Sequence, residues 1–211
     1  MDGLINSLAG MPIISWVLAL PLIGALSLYA IPKRGGEVNP DASRLVALLW
    51  SLIVFGLSLL FLVKFESSNV GYQFTEKYSW IEDFGITYSV GIDGISLFLV
   101  MLTTFLMPIV VIASQSVDKK RRGYLANMLI LETAMVGTLV ALDAFLFYVF
   151  WELMLVPMYF LIGIWGGKRK IYATLKFVLY TVIGSLLMLV ALIYVVWQHA
   201  DQSGQVSFLI S

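Results

Sequence analysis

Cysteine is absent from the 211-residue chain, and histidine occurs once, at His199. Without thiols there is no disulfide framework, no thiolate nucleophile, no sulfur-ligated zinc and no all-cysteine iron–sulfur cluster. A single imidazole leaves no bis-histidine haem site. Charge is scarce as well: Asp, Glu, Lys and Arg make up 12% of residues, against about 25% in a soluble domain. No internal repeat, low-complexity tract or Gly-rich phosphate loop is visible. Gly91–Ile92–Asp93–Gly94 reads as the start of a helix with Asp93 as its N-cap. What fills the chain is apolar surface, 60% of residues with a mean hydropathy of +0.94. This composition excludes disorder, a nucleic-acid module and an ordinary soluble enzyme. It points to an all-α polytopic membrane protein with lipid, not nucleic acid, around it.

Each membrane helix needs roughly 20 apolar residues. Six runs qualify: Met11–Ile31, Leu45–Val63, Ile95–Ser114, Tyr124–Leu142, Ala144–Trp165 and Ile171–Trp197. The first has no basic residue before it and is too long for a signal-peptide core, so it is read as a retained span. The chain divides into three spans with a long connection (1–114), three further spans (124–197) and a tail (198–211).

The basic residues fix an orientation. Lys33, Arg34 and Arg44 lie between spans one and two; Lys119, Lys120, Arg121 and Arg122 lie between three and four; Lys168, Arg169 and Lys170 lie between five and six. Ten of the thirteen Lys and Arg residues thus sit in alternate connections. Asp2, Glu66, Glu76, Glu82, Asp83, Asp93, Asp143 and Asp201 fall on the other side. By the positive-inside rule the basic connections face the cytoplasm and both ends of the sequence face out, in a bacterial inner membrane.

The long connection, residues 64–94, carries two alternating stretches. Tyr72, Phe74, Tyr78 and Trp80 share one parity, as do Phe84, Ile86, Tyr88 and Val90, with Glu82–Asp83–Phe84–Gly85 of turn composition between them. This predicts an amphipathic β-hairpin at about 72–90 on the outer face, its aromatic side at headgroup level; an irregular loop is the alternative.

Three ionisable residues fall inside spans: Glu132, Glu152 and Lys176. Each costs roughly 2.5–3.5 kcal/mol at the bilayer centre on insertion scales. A proton or ion relay accounts for that expense; a buried ion pair or hydrogen-bonded carboxyl that locks the helices is the alternative. Spans four and five are joined by almost no connection, so they are antiparallel neighbours, and both carboxyls fall near mid-membrane, roughly 12–15 Å from the outer end. Desolvation and a nearby second carboxylate both disfavour the charged form, so at least one of the two is expected to hold a proton at neutral pH unless a cation is close. Lys176 enters span six from the basic side, too far from Glu152 for direct contact without bridging groups; Tyr180, Thr181 and Ser185 follow it at helical spacing. Pro157 removes the donor for the Leu153 carbonyl close to Glu152, either as a water site or as a packing kink. Pro21 and Pro108 read as simple kinks. His199 reads as a solvated residue just past span six.

The run Asp143–Ala–Phe–Leu–Phe–Tyr–Val–Phe–Trp151–Glu152–Leu–Met–Leu–Val–Pro157–Met–Tyr159–Phe–Leu–Ile resembles the fifth-helix signature of the antiporter-like membrane subunits of proton-pumping NADH:quinone oxidoreductase, respiratory complex I. Val90–Gly–Ile–Asp–Gly–Ile–Ser–Leu97 resembles that family's third-helix start, and Thr174–Leu–Lys176–Phe with Tyr180–Thr181 its sixth-helix lysine motif. The resemblance implies that Glu152 is the glutamate on which proton translocation depends, that Lys176 tunes it and that Glu132 is an accessory relay group. It implies an outer hairpin before the third helix. It also implies partners: other membrane-arm subunits, neighbouring antiporter-like subunits among them, and redox subunits that hold the FMN, iron–sulfur clusters, NADH and quinone, none of which this chain binds.

Family members are longer, with two inverted repeats, and their later lysines and a further charged group have no counterpart here. A partial sequence of a longer subunit is expected, with a naturally split subunit as the alternative. Competing functions are a subunit of a multisubunit cation/proton antiporter, the membrane arm of a hydrogenase complex, and a non-catalytic helical scaffold.

Overall fold

The computed structural model describes residues 12–34, 37–38, 40–69, 71–117, 119–203 and 206–210. Helices α1 (Ile13–Ala30), α2 (Pro40–Lys64), α3 (Gly94–Ala113) and α4 (Arg121–Val140) come first. The fifth apolar run forms two helices, α5 (Ala144–Leu153) and α6 (Leu155–Trp165), and α7 covers Lys170–Ser203. Two short strands, β1 (Lys33–Arg34) and β2 (Glu37–Val38), pair between α1 and α2. Strands β3 (Gln73–Ile81) and β4 (Ile86–Ile92) pair before α3. Among the described residues, six helices or helix pairs are long and apolar enough to cross a membrane. The chain is a multi-pass membrane protein.

The expected spans match these elements apart from their ends. Met11 lies outside the described residues. Helix α7 runs to Ser203, six residues past the expected end at Trp197, so His199 sits in a helix and not beyond one.

Local signals explain where the helices begin. Asp93 caps α3 in a reciprocal box: its carboxylate accepts from the Ser96 amide at 2.7 Å, and Ser96 Oγ accepts from the Asp93 amide at 2.9 Å. The Ser96 amide and hydroxyl hold the Asp93 carboxyl below the usual carboxylate range. Asp143 caps α5 through the amides of Phe145 and Leu146 at 2.9 and 3.1 Å. Prolines act differently by position. α1 and α3 run unbroken through Pro21 and Pro108. The fifth span breaks at Met154, where Pro157 withholds the amide that the Leu153 carbonyl needs.

Helix α4 is the centre of the bundle, packing against α1, α2, α3, α5 and α6. Glycine permits two close approaches between helices. A Cβ on Gly137 of α4 would collide with the Phe150 ring of α5, and one on Gly24 of α1 would meet Trp50 of α2 at 2.8 Å. Thr133 Oγ1 of α4 donates across to the Leu18 carbonyl of α1 at 2.9 Å, and Ser58 and Thr104 share a hydrogen bond between α2 and α3 at 2.8 Å. Such small and hydroxyl-bearing residues hold membrane helices together where lipid removes the hydrophobic drive. Helix α7 stands apart: it packs on α6 and lightly on α5, and few of its residues are buried.

The predicted hairpin is present, with a turn at Glu82–Phe84 closed by Gly85 in the left-handed region (φ 64°). A Cβ there would also run into the Val206 carbonyl. One aromatic face does not survive as predicted. A register shift between Gln73 and Glu76 and a positive φ of 55° at Phe74 turn that ring inward, onto Phe61 of α2 at 5.2 Å. Tyr78 and Trp80, 56% and 51% exposed, keep the outward direction. On β4, Ile86, Val90 and Ile92 are buried against the bundle.

Strand β4 is also flanked on its second edge. Leu142 donates to the Ser89 carbonyl at 2.8 Å, and the tail residues bond back through Ala144 N to Phe208 O and Ile210 N to Leu142 O. The hairpin, the α4–α5 turn and residues 206–210 form one small platform at one end of the bundle.

Candidate functional site

Glu132 of α4 is fully buried, at 0% exposure, and neither of its carboxyl oxygens has a hydrogen-bond partner among the described residues. Glu152, in the last turn of α5, is half-buried, with Oε1 likewise unpartnered. Buried polar atoms are normally satisfied, so two membrane-depth carboxyls in this state need a reason.

Their heights agree. Glu132 lies eight residues before Val140 and Glu152 eight residues after Ala144. At 1.5 Å per residue, each is roughly 12 Å below the α4–α5 turn. The two helices pack against each other, brought close by the Gly137–Phe150 contact. Glu152 also sits two residues before the helix break at Met154 and next to Leu153, whose carbonyl loses its helical donor at Pro157. One turn above it, Tyr148 reaches both Glu152 and Ser185 of α7.

Lys176 does not join them. It is exposed on α7 with Nζ 6.0 Å from the centre of the Tyr172 ring, and no ion pair links it to Glu132 or Glu152 among the described residues. Of the polar residues following it, Tyr180 is 84% exposed. Thr181 and Ser185 return their hydroxyls to carbonyls of their own helix, Phe177 and Val182. Among the described residues no group of three or more His, Asp and Glu is placed to hold a metal ion.

Two acidic residues outside the spans carry structural weight that the sequence did not reveal. Asp143 is fully buried and, besides capping α5, accepts from the Thr87 amide and hydroxyl of β4 at 3.0 and 3.1 Å. An Asp directly before an apolar helical run is a recognisable N-cap signal, though its second partner is not legible. Glu76 of β3 accepts from the Ile14 amide at 2.8 Å, the Ser15 amide at 3.3 Å and the Ser15 hydroxyl, at the start of α1. The positive end of the helix suits the carboxylate. Because the Ser15 proton points to Glu76, Tyr88 is the donor to Ser15 Oγ at 2.7 Å. Burial pushes the Tyr88 phenol up, and the Glu76 carboxylate adds to it. No sequence pattern singles out this Glu.

The basic connections meet at the opposite end. Arg122 lies over the Tyr29 ring at 4.6 Å, Trp165 Nε1 donates to the Lys119 carbonyl, and Arg44 reaches the Ile112 carbonyl at 3.4 Å.

Residues 41–138 match the family described as NADH-ubiquinone oxidoreductase chain 4, amino terminus. Residues 141–208 match the transmembrane family of NADH:quinone oxidoreductase and the Mrp antiporter. NADH-quinone oxidoreductase subunit M of Rhodobacter capsulatus is 44% identical over 181 residues, 86% of this chain and 35% of that protein. NADH-ubiquinone oxidoreductase chain 4 of Marchantia polymorpha is 39% identical over 195 residues, 92% of this chain and 39% of that protein. The chain thus spans little more than a third of these relatives. A chain of respiratory complex I from Thermus thermophilus with bound NADH superposes with a TM-score of 0.75 at 25% identity, over 94% of this chain and 38% of that one. A chain of the Mrp complex from Dietzia sp. DQ12-45-1b gives 0.70 at 19% identity, over 92% and 20%, a likeness of fold alone.

Proposed function

The chain belongs to the family of NADH-quinone oxidoreductase subunit M and NADH-ubiquinone oxidoreductase chain 4, and from that premise we propose that it carries protons in the membrane arm of such an oxidoreductase. The carrying observation is the pair Glu132 and Glu152: two carboxyls at equal depth on adjacent antiparallel helices, with buried oxygens that the bundle leaves unpartnered.

In this reading Glu152 is the central relay group. The helix break at Met154 supports it, because a lapse in backbone bonding beside a carboxyl gives a place for proton exchange in an otherwise sealed helix. Glu132, more deeply enclosed, is the accessory acceptor. Lys176, exposed on α7 with no carboxylate partner among the described residues, tunes the site from a distance, through groups that bridge it to Glu152. Redox chemistry belongs to partner subunits holding FMN, iron–sulfur clusters, NADH and quinone. The basic end faces the cytoplasm of a bacterial cell, and the hairpin end, with residues 206–210, faces the periplasm.

Glu152→Gln tests the relay. It preserves shape and hydrogen bonding but removes the titrating group. In the assembled complex, proton pumping and quinone reduction are both expected to fall, on the order of 10²-fold for loss of an acid–base group in the path. A Glu152→Gln enzyme that pumps at the normal proton-to-electron ratio refutes the assignment. Co-purified flavin and iron–sulfur subunits separate this reading from a cation/proton antiporter, which carries neither.

A further inference from the structure

We propose that the groove between α6 and α7 binds an anionic phospholipid, with one acyl chain in the groove and the phosphate against Lys168 and Arg169. This does not rest on the relay reading. The groove has a volume of about 300 Å³ and is lined by Tyr159, Gly163 and Ile164 on one side and Ile171, Thr174 and Leu175 on the other. Its walls ask for an apolar occupant. Of the two hydroxyl-bearing lining residues, Tyr159 and Thr174, the latter already gives its hydroxyl to the Lys170 carbonyl at 2.8 Å. Gly163 keeps the space open: a Cβ there would meet Thr174 only at 3.5 Å, so the floor is set by the missing side chain.

The groove ends at the turn that joins the two helices, and that turn is basic. The three cations there are not equivalent. Lys170 Nζ is used internally, donating to the Ile164 carbonyl at 2.7 Å and offsetting the negative end of α6. Lys168 is exposed. Arg169 is exposed and lies over the Tyr172 ring at 4.9 Å, a contact that restrains its guanidinium while leaving its N–H donors without a protein partner among the described residues. Neither side chain has a hydrogen-bond or ion-pair partner among the described residues. A restrained guanidinium suits a phosphate, which it binds with two parallel bonds. From Tyr159 to Ile164 the groove runs roughly 8 Å along α6, so it receives the part of an acyl chain that lies just below a headgroup held at the turn. A neutral lipid satisfies the groove but not the cations; a free phosphate satisfies the cations but not the groove.

The test uses the assembled complex carrying the full-length subunit, reconstituted with photoactivatable phosphatidylglycerol or phosphatidylcholine. Cross-links are mapped by peptide mass spectrometry. The phosphatidylglycerol probe is expected to label residues 159–175 well above the phosphatidylcholine probe. Lys168→Gln and Arg169→Gln should each lower that labelling about fivefold, the usual worth of one basic residue near an anionic surface. Gly163→Leu, which fills the groove, should abolish labelling by both probes. Equal labelling by the two probes, or labelling indifferent to the two cations, overturns the proposal. So does a disulfide from Gly163→Cys to a cysteine on another protein helix, which would show that a protein segment fills the groove. The wild-type probe comparison decides the matter even where a variant fails to assemble.

Discussion

At the residue scale the site depends on two kinds of side chain, those that titrate and those that are missing. The titrating set predicts a graded series. Glu152→Asp keeps the charge on a shorter arm and should cost little next to Glu152→Gln. Glu132→Gln should lower pumping less than Glu152→Gln, since an accessory carboxyl is bypassed more readily than a central one. Lys176→Ala should fall between, because it removes the cation that the sequence places within a span while leaving both acids. Pumping rates in vesicles check the order, and an equal loss at all three positions would contradict it. The missing side chain is at Gly137. Any Cβ there strikes the Phe150 ring and drives α4 from α5, so Gly137→Ala should destabilise the subunit by about 1–3 kcal/mol, as overpacking does. Phe150→Leu should restore part of that loss. A double-mutant cycle on thermal stability measures the coupling, and strict additivity would show that the two residues do not meet.

At the element scale the platform of hairpin, α4–α5 turn and residues 206–210 hangs on Asp143. Its four hydrogen bonds join the start of α5 to β4. Asp143→Ala removes a helix cap, about 1 kcal/mol, and strands the Thr87 amide. Amides of residues 86–92 should then exchange faster with solvent while those of α1 keep their protection; unchanged exchange at β4 would show that the strand is held by packing alone.

The same elements show how far the sequence could be read. Apolar runs of membrane length, the Asp93 cap, the Gly85 turn and the alternation of β4 are local signals, and each became the expected element. The inward turn of Phe74 was hidden, because a bulge shifts parity without leaving a compositional mark. The end of α7 was misjudged because Gln198–Ser203 is polar, and polarity marks where a membrane ends, not where a helix does. Glu132 and Glu152 stood out in sequence because charge in an apolar run is costly. Glu76 and Asp143 did not, since acids between spans look like ordinary surface until their partners, 61 or 62 residues away at Glu76 and 56 at Asp143, fold onto them.

At the scale of the whole molecule, the two ends of the bundle differ in chemistry. One end gathers the basic connections around Tyr29, Lys119 and Trp165. The other gathers the hairpin, Asp93 and the Asp143 platform. Helix α7 spans roughly 51 Å at 1.5 Å per residue, well beyond a hydrocarbon core of about 30 Å, so it tilts or carries its polar last turns, Gln198–Ser203, clear of the membrane at the hairpin end. The orientation follows from charge. Moving the ten basic residues of the three connections across the bilayer is far costlier than leaving them in the cytoplasm, so the hairpin end should face out. Cysteines placed one at a time at Ser68, beside the hairpin, and at Ser116, in the basic connection before α4, test this in a chain with no native thiol. Both serines are exposed. In intact cells stripped of their outer membrane, a membrane-impermeant maleimide should label Ser68→Cys and spare Ser116→Cys. In inside-out vesicles the pattern should invert. Labelling of both positions from one side would show that α3, the span between them, does not cross the membrane. Full inversion would keep the helices and overturn the placement of the basic end in the cytoplasm.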